Sequence, residues 1–375
     1  MIGDKAKFIG IIIGLTFASF IITQQAGIFV GLMSRTYGFL TDTRQPDIWL
    51  MDPEVQFVDD VKPFKMTKLY QARGITGVEW AVPLYKGLLK ARLPSGTFQI
   101  CNVIGIDDAT LIGGPPFITQ GKIENLRIPD AVIINEVGAR KKLASTINGK
   151  KVPMQYGEVF EINDRRARVY GFCETVRTFQ SQPVIYTTFE KALRIAPSER
   201  DLLSFVLIKS QEGVDSEKLA QNISDITGLL ALTTKQFRDR SLRYYMTQTG
   251  IPINFGVAVI LGVIIGVAIA GQTFYTFAHD NMRYFATFKA MGATNKLISK
   301  MILVQALMVA TIGWSFGIGL TTLFGGSSGG SELSFSLPWW LFLGSGVAIY
   351  CITLLAAAIS LYKIIRLEPS IVFQS

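Results

Sequence analysis

Hydrophobic positions along the chain gather into four long runs, and an apolar helix needs roughly 20 residues to cross a bilayer. The first covers 8–33, "FIGIIIGLTFASFIITQQAGIFVGLM", and is interrupted by Gln24 and Gln25. The others cover 253–277, 302–324 and 339–362, and none of them holds a charged residue. Trp339 and Trp340 open the last run and Tyr362 closes it, as an interfacial aromatic belt would. The first run reads as a span and not a cleaved leader, because apolar residues resume at Ala26 with no clean small-residue cleavage site. Its two glutamines are expected to bond between helices, since an amide facing lipid is costly.

Between 34 and 252 the period changes. Strand-like stretches recur, among them "VEWAVPLYKG", "FQICNVIGI", "DAVIINE", "EVFEIN", "RARVYGFC" and "PVIYTT". "EVGARKKLA" and "SEKLAQNISDI" read as helices, and the second sits between "SFVLIKS" and "LLALTTKQF" in a strand–helix–strand succession. The fold class is therefore a membrane protein of four transmembrane α-helices, one and then three. A large extracytoplasmic α+β domain lies between the first and second, with a subdomain split expected near 187–202.

Composition agrees: 17% of the chain is charged, against roughly 25% in soluble domains, and mean hydropathy is +0.34. Basic residues orient the spans, because Lys and Arg mark the cytoplasmic side of short segments. Lys5 and Lys7 lie in the N-terminal segment 1–7, and Arg283, Lys289, Lys296 and Lys300 lie in 278–301. Lys363 and Arg366 lie in the tail 363–375, while the connection 325–338 has no basic residue. Both termini and 278–301 are placed inside, and 34–252 and 325–338 outside. The net charge of +9 then reflects topology and not nucleic-acid binding.

Catalytic chemistry finds little to work with. His279 is the only histidine and lies on the inner side, which removes His-based triads and zinc sites from the outer domain. Asp59-Asp60 and Asp107-Asp108 are adjacent pairs without metal-ligand spacing, and no phosphate-binding loop occurs. The expected catalytic, metal and cofactor set in this chain is empty. Cys101 and Cys173 leave two readings open, a disulfide or two buried thiols, while Cys351 reads as packing within the fourth span. Gly10/Gly14, Gly27/Gly31, Gly262/Gly266 and Gly313/Gly317 have the four-residue spacing that lets helix backbones approach closely.

The segment "HDNMRYFATFKAMGATNKLISK" is charged between two apolar runs. Met282, Phe285, Phe288 and Met291 recur every three residues, which suggests a short amphipathic helix with a cationic side. Gly292 fits a helix-ending position and Thr294 a new N-cap. A membrane-surface helix and a docking helix for a cytoplasmic partner both fit this pattern.

"MRYFATFKAMGATNKLISKMILVQALMVATIGWSFGIGL" resembles the FtsX/MacB-type permeases of ABC transporters, as does the basic, proline-containing tail "KIIRLEPSIVF". The start "KFIGIIIGLTFASFIITQQAGIFVGL" is similar to the DevC-like branch, although many family members carry a cytoplasmic helix before the first span where seven residues stand here. The resemblance implies a homodimeric permease of the bacterial inner membrane. It also implies a separate cytoplasmic ATPase, binding ATP and Mg, that docks on the loop before the third span. Motion would pass to the outer domain as mechanotransmission, for export in a tripartite efflux system with a periplasmic adaptor and an outer-membrane channel. The alternative is an FtsX-like signalling subunit that transports nothing. Carried onto this chain, the ATPase-contact residues are Arg283, Phe285, Phe288, Lys289, Met291 and Gly292.

Overall fold

The computed structural model describes residues 5–147, 150–196, 203–328 and 333–365. Two compact units divide the chain: Met33–Thr249, and Met1–Leu32 with Gly250–Ser375. The basic tail from Arg366 onward and residues 329–332 of the expected outer connection lie outside the described residues.

Four helices have the length and apolarity of membrane spans: α1 (Lys5–Arg35), α8 (Ile251–Asp280), α10 (Asn295–Ser328) and α11 (Trp339–Ile365). Each of the first three overruns its apolar run, because polar residues such as Lys5, Asp280 and Asn295 continue the same backbone hydrogen bonding beyond it. The segment 278–301, expected as helix, break and helix, is helical except at Asn281 and 291–294, and α10 continues to Ser328, past the expected end of its span at 324. Gln24 and Gln25 are half-buried and, among the described residues, their side chains make no hydrogen bond to another span of the same chain. Other polar side chains do bond between spans: Ser19 Oγ of α1 donates to Trp314 O of α10 at 3.5 Å, and two contacts join α10 to α11. Thr311 Oγ1 lies 2.7 Å from Tyr350 Oη, and Trp314 Nε1 donates to Ser345 Oγ at 3.3 Å. Cys351 is exposed, so the expectation that it packs inside the bundle is overturned; it sits on the helix face turned outward.

The unit Met33–Thr249 is built on a ten-stranded sheet in the order β12-β1-β11-β2-β3-β10-β5-β9-β4, with β8 pairing β2 and β9. The strands are β1 (Ile48–Met51), β2 (Val78–Arg92), β3 (Phe98–Ile106), β4 (Phe117–Gly121) and β5 (Ala131–Asn135). A separate hairpin, β6 (Ser145–Ile147) with β7 (Lys150–Val152), follows. The set is completed by β8 (Val159–Ile162), β9 (Arg165–Glu174), β10 (Val184–Thr188), β11 (Phe205–Ser210) and β12 (Leu230–Thr233). Helices α2 (Gly38–Asp42), α3 (Thr67–Arg73), α4 (Glu136–Arg140), α5 (Phe189–Ile195), α6 (Ser216–Thr227) and α7 (Thr234–Gln248) connect or cover them. Helix α4 takes only the first half of "EVGARKKLA".

The pairings β2–β3, β3–β10, β10–β5, β5–β9, β9–β8 and β8–β2 close a ring. Closure gives each of those strands a neighbour on both sides over at least part of its length, which shortens the edges open to edge-to-edge aggregation. β2 makes this possible by its length. Its first half pairs with β11 alone, and its second half pairs with β3. Pro83 falls in the first half, where a strand with one neighbour tolerates a missing N–H. β11 returns to β2 after the break expected near 187–202, so both sides of that break share one sheet and one compact unit.

The succession β11–α6–β12 is strongly marked in sequence. Asp215 caps α6 by accepting from Glu217 N at 2.9 Å, and Gly228 ends it at φ 66. Thr233 and Gln236 form a reciprocal capping box that starts α7. Trp49 is wholly buried against Phe39, Phe205 and Phe237, and its indole donates to Thr234 Oγ1 at 3.1 Å.

Cys101 and Cys173 are both free, and they belong to separate apolar cores of the domain. That resolves the open question in favour of two buried thiols. Burial pushes the Cys101 thiol up to about 12 and raises the Cys173 thiol as well, with Asp42 and Glu136 adding to the second. The thiolate is the reactive form, so a Cys351→Ser variant is expected to resist maleimide in the native state and take two labels in denaturant. Mass spectrometry reads this directly, and a disulfide-linked peptide would contradict it.

Candidate functional site

Between α8 and α10 lies α9 (Met282–Ala290), the short helix of the charged segment. It begins at Asn281, whose carbonyl accepts from Phe285 N at 3.1 Å and whose Nδ2 donates to Phe277 O at 2.8 Å. It ends in a Schellman motif: Ala293 N donates to Phe288 O at 2.9 Å and Gly292 N to Lys289 O at 3.0 Å. Gly292 sits at φ 94, a conformation that a side chain would strain. Thr294 Oγ1 then accepts from Leu297 N at 3.4 Å and starts α10. The break is therefore a fixed corner.

The corner sorts the expected contact residues into two groups. Phe285 is 6% exposed, packed edge-on to Phe277 with ring centroids 6.3 Å apart, within the apolar core of the four spans. Lys289 is half-buried on the same side. Arg283, Phe288, Met291 and Gly292 are exposed. Phe285 is thus removed from the docking set, and the reason is angular. A step of three residues advances about 300° in a helix of 3.6 residues per turn. Met282, Phe285, Phe288 and Met291 consequently drift about 60° per step, from one side of α9 to the other.

The face that does point outward is Tyr284, Phe288 and Met291, exposed by 67%, 42% and 77%. Its 4-and-3 spacing is the helical one. Tyr284 falls outside the three-residue series, so that series gave no sign of it. Leu297 and Met301 on α10 are exposed too. At the adjoining ends of the spans, Lys7 of α1 pairs with Asp280 of α8, and Tyr275 lies edge-on to His279 at 6.4 Å.

The glycines define how the spans pack. A Cβ on Gly14 would run into Ile269, and one on Gly317 into Ser19. One on Gly313 would lie 2.6 Å from Leu15 Cβ, and one on Gly27 2.6 Å from Phe335. Gly31 abuts Ser334 and Phe335, Gly262 faces Ile21 and Ile22, and Gly266 faces Ala18 and Ile352. Gly10 is different: a Cβ there meets nothing within 4 Å, so no close approach within the chain depends on it. Overpacking typically costs about 1–3 kcal/mol. Gly317→Ala is accordingly expected to lower the detergent melting temperature of the span bundle by several degrees, with Gly10→Ala unchanged. Equal melting of the two variants would contradict this.

Residues 256–369 match the family described as FtsX-like permease C-terminal. An uncharacterised ABC transporter permease of Mycobacterium tuberculosis is 23% identical over 322 residues, covering 83% of this chain and 79% of its own length. Another, from Mycobacterium bovis, is 22% identical over 320 residues with the same coverage. Among solved structures, the extracellular domain of the noncanonic ABC-type transporter YknZ from Gram-positive bacteria aligns over 50% of this chain and 98% of its own. Its identity is 15% and its TM-score 0.35. The periplasmic region of MacB from Actinobacillus actinomycetemcomitans aligns over 53% and 92%, with 13% identity and a TM-score of 0.37.

Proposed function

We propose, from the match of residues 256–369 to the family described as FtsX-like permease C-terminal, that the protein is the membrane subunit of an ABC transporter, driven by a separate cytoplasmic ATPase. The observation that carries the proposal is the outward face of α9. Tyr284, Phe288 and Met291 stand clear of the span core beside Arg283, between two span-length helices, on a corner locked by the Gly292 motif. Aromatic and thioether side chains beside an arginine are the composition of protein–protein hot spots. Rigid corners transmit displacement, so ATPase closure would move α8 and α10 together.

In this reading two copies pair across the membrane with both termini cytoplasmic, and the α/β domain works on the far side. Export in an efflux-type assembly with an adaptor and an outer-membrane channel, as in DevC-like systems, is the extension we favour. ATP and Mg belong to the partner. Mild-detergent purification of the tagged full-length chain from its own host tests the core of the reading. An ABC ATPase should be retained with it, and addition of ATP and Mg should give vanadate-sensitive hydrolysis. Recovery of the chain repeatedly free of any ATP-binding subunit would overturn it.

A further inference from the structure

The α/β domain contains a cavity of about 560 Å³ whose walls include Arg127, Arg165, Arg166, Lys191 and Arg194, against a single lining carboxylate, Asp130. Five like charges around one hollow repel, and side chains free to choose would spread apart. Here the backbone gives them little choice. The β8–β9 hairpin turns through Asn163 and Asp164, both at positive φ (51 and 62), and delivers Arg165 and Arg166 at the start of β9. Asn163 Nδ2 donates to Ile195 O at 2.8 Å, which pins that hairpin to the end of α5, the helix carrying Lys191 and Arg194. Lys191 Nζ donates to Leu126 O and, at 2.6 Å, to Ile128 O, which pins α5 to the turn bearing Arg127. Three elements are thus tied so that their basic residues line one cavity, although Arg166, opposite Glu161 in the β8–β9 ladder, also lines a neighbouring hollow with Arg92.

Internal neutralisation is sparse. Among the described residues Arg165 and Arg166 make no ion pair, and Arg127 spends one Nη2 hydrogen on Ala109 O at 2.7 Å. Arg194 approaches Glu190 at 3.5 Å with both side chains largely exposed, a geometry worth little. Burial holds the Lys191 ammonium below its ordinary range, with Arg194 adding to that effect against Asp108 and Asp130. A bound anion would relieve it.

We propose that this cavity binds a compact, multiply charged phosphate group, either a soluble phosphate ester or pyrophosphate, or the headgroup of a phosphorylated lipid. Arginine forks match phosphate oxygens two at a time, and the volume suits a small ligand and not a polymer. The inference does not depend on the transport reading, since binding can be measured without the ATPase.

The test is calorimetric titration of the detergent-solubilised full chain at low salt with inorganic pyrophosphate, and separately with dioctanoyl phosphatidic acid against dioctanoyl phosphatidylcholine. Wild type is expected to bind at least one phosphate probe, and Arg165→Glu/Arg166→Glu to weaken that binding by about tenfold or more. Lys235→Glu/Arg243→Glu makes the same charge change at exposed positions away from the cavity, and should stay within about twofold. Arg127→Gln/Arg194→Gln serves if the hairpin variant misfolds. Binding of pyrophosphate assigns a soluble phosphate, and binding of phosphatidic acid alone assigns a lipid headgroup. Failure of both probes, or equal loss in the Lys235/Arg243 variant, overturns the site.

Discussion

A Phe288→Asp/Met291→Asp variant is expected to lose retained ATPase by at least tenfold, while its melting and membrane insertion match wild type. Both side chains stand outside the span core, so a carboxylate at either is hydrated in the free permease and costs little. In a complex the same carboxylates would have to enter an apolar groove. A single hot-spot truncation commonly costs about 2 kcal/mol or more, and every 1.4 kcal/mol is tenfold in affinity. Two together exceed what detergent purification tolerates. The comparison that gives the experiment its force is Phe285→Asp. That residue is buried against Phe277, and an unpaired charge there should unfold the corner itself. Its variant is expected to melt low and purify poorly. Undiminished ATPase in the Phe288/Met291 variant, at normal protein yield, would remove α9 as the docking helix.

Those two phenylalanines show where sequence reading reaches its limit. The break, its Gly292 terminus and its Thr294 start were legible because each is fixed by local chemistry: a positive φ, a hydroxyl acceptor, a change of residue type. Which face of a nine-residue helix turns inward is decided by neighbours elsewhere in the chain. Phe285 and Phe288 look alike until Phe277 is placed. The same division runs through the spans. Their number and approximate extents followed from apolar length, yet Gly10 and Gly14, equivalent by spacing, differ because only Gly14 has Ile269 against it.

In the α/β domain, eight strands announced themselves individually, while β1, β4, β6 and β7 and all of the pairings did not. The succession β11–α6–β12 was readable from its apolar periodicity, and the structure adds local caps at Asp215, Gly228 and the Thr233/Gln236 box. The ring was not. It rests on parallel pairing of β3 with β10 and β5 with β9, and on β8 touching two strands. Pairings between distant segments leave no mark in residue order, since apolar runs such as β5 and β10, buried at every position, could pair with many partners. The cationic cavity was equally hidden. Arg127, Arg165, Arg166 and Arg194 are scattered through ordinary basic sequence and meet only through Asn163 and Lys191.

Stability of the α/β domain should fall as pH rises from about 4 to 7, and Asp42→Asn should abolish most of that slope. Asp42, the last residue of α2, is 6% exposed. Burial raises its carboxyl from an ordinary 3.8 to about 7, although Val176 N donates to both oxygens, at 2.9 and 3.2 Å, and Arg44 acts in the opposite direction. The buried Cys173 and Tyr186 lie in its field, and each has its own ionisation pushed up in part by Asp42. A raised carboxyl pKa means that the native state holds a proton which the unfolded chain releases. The favourable contribution is complete below 3.8 and is lost as pH passes through about 7. Every tenfold difference in proton affinity between the two states corresponds to about 1.4 kcal/mol, so the loss is on the order of 2–4 kcal/mol. Asparagine keeps an acceptor for Val176 N–H and cannot ionise. Hydrogen exchange of β9 and β10 amides in the full-length protein, corrected for intrinsic rates, reads the difference. At pH 4 the two proteins should exchange alike. Near pH 7.5 the variant should be protected by tenfold or more beyond wild type, and parallel profiles across that range would show that Asp42 is ionised in the native domain throughout.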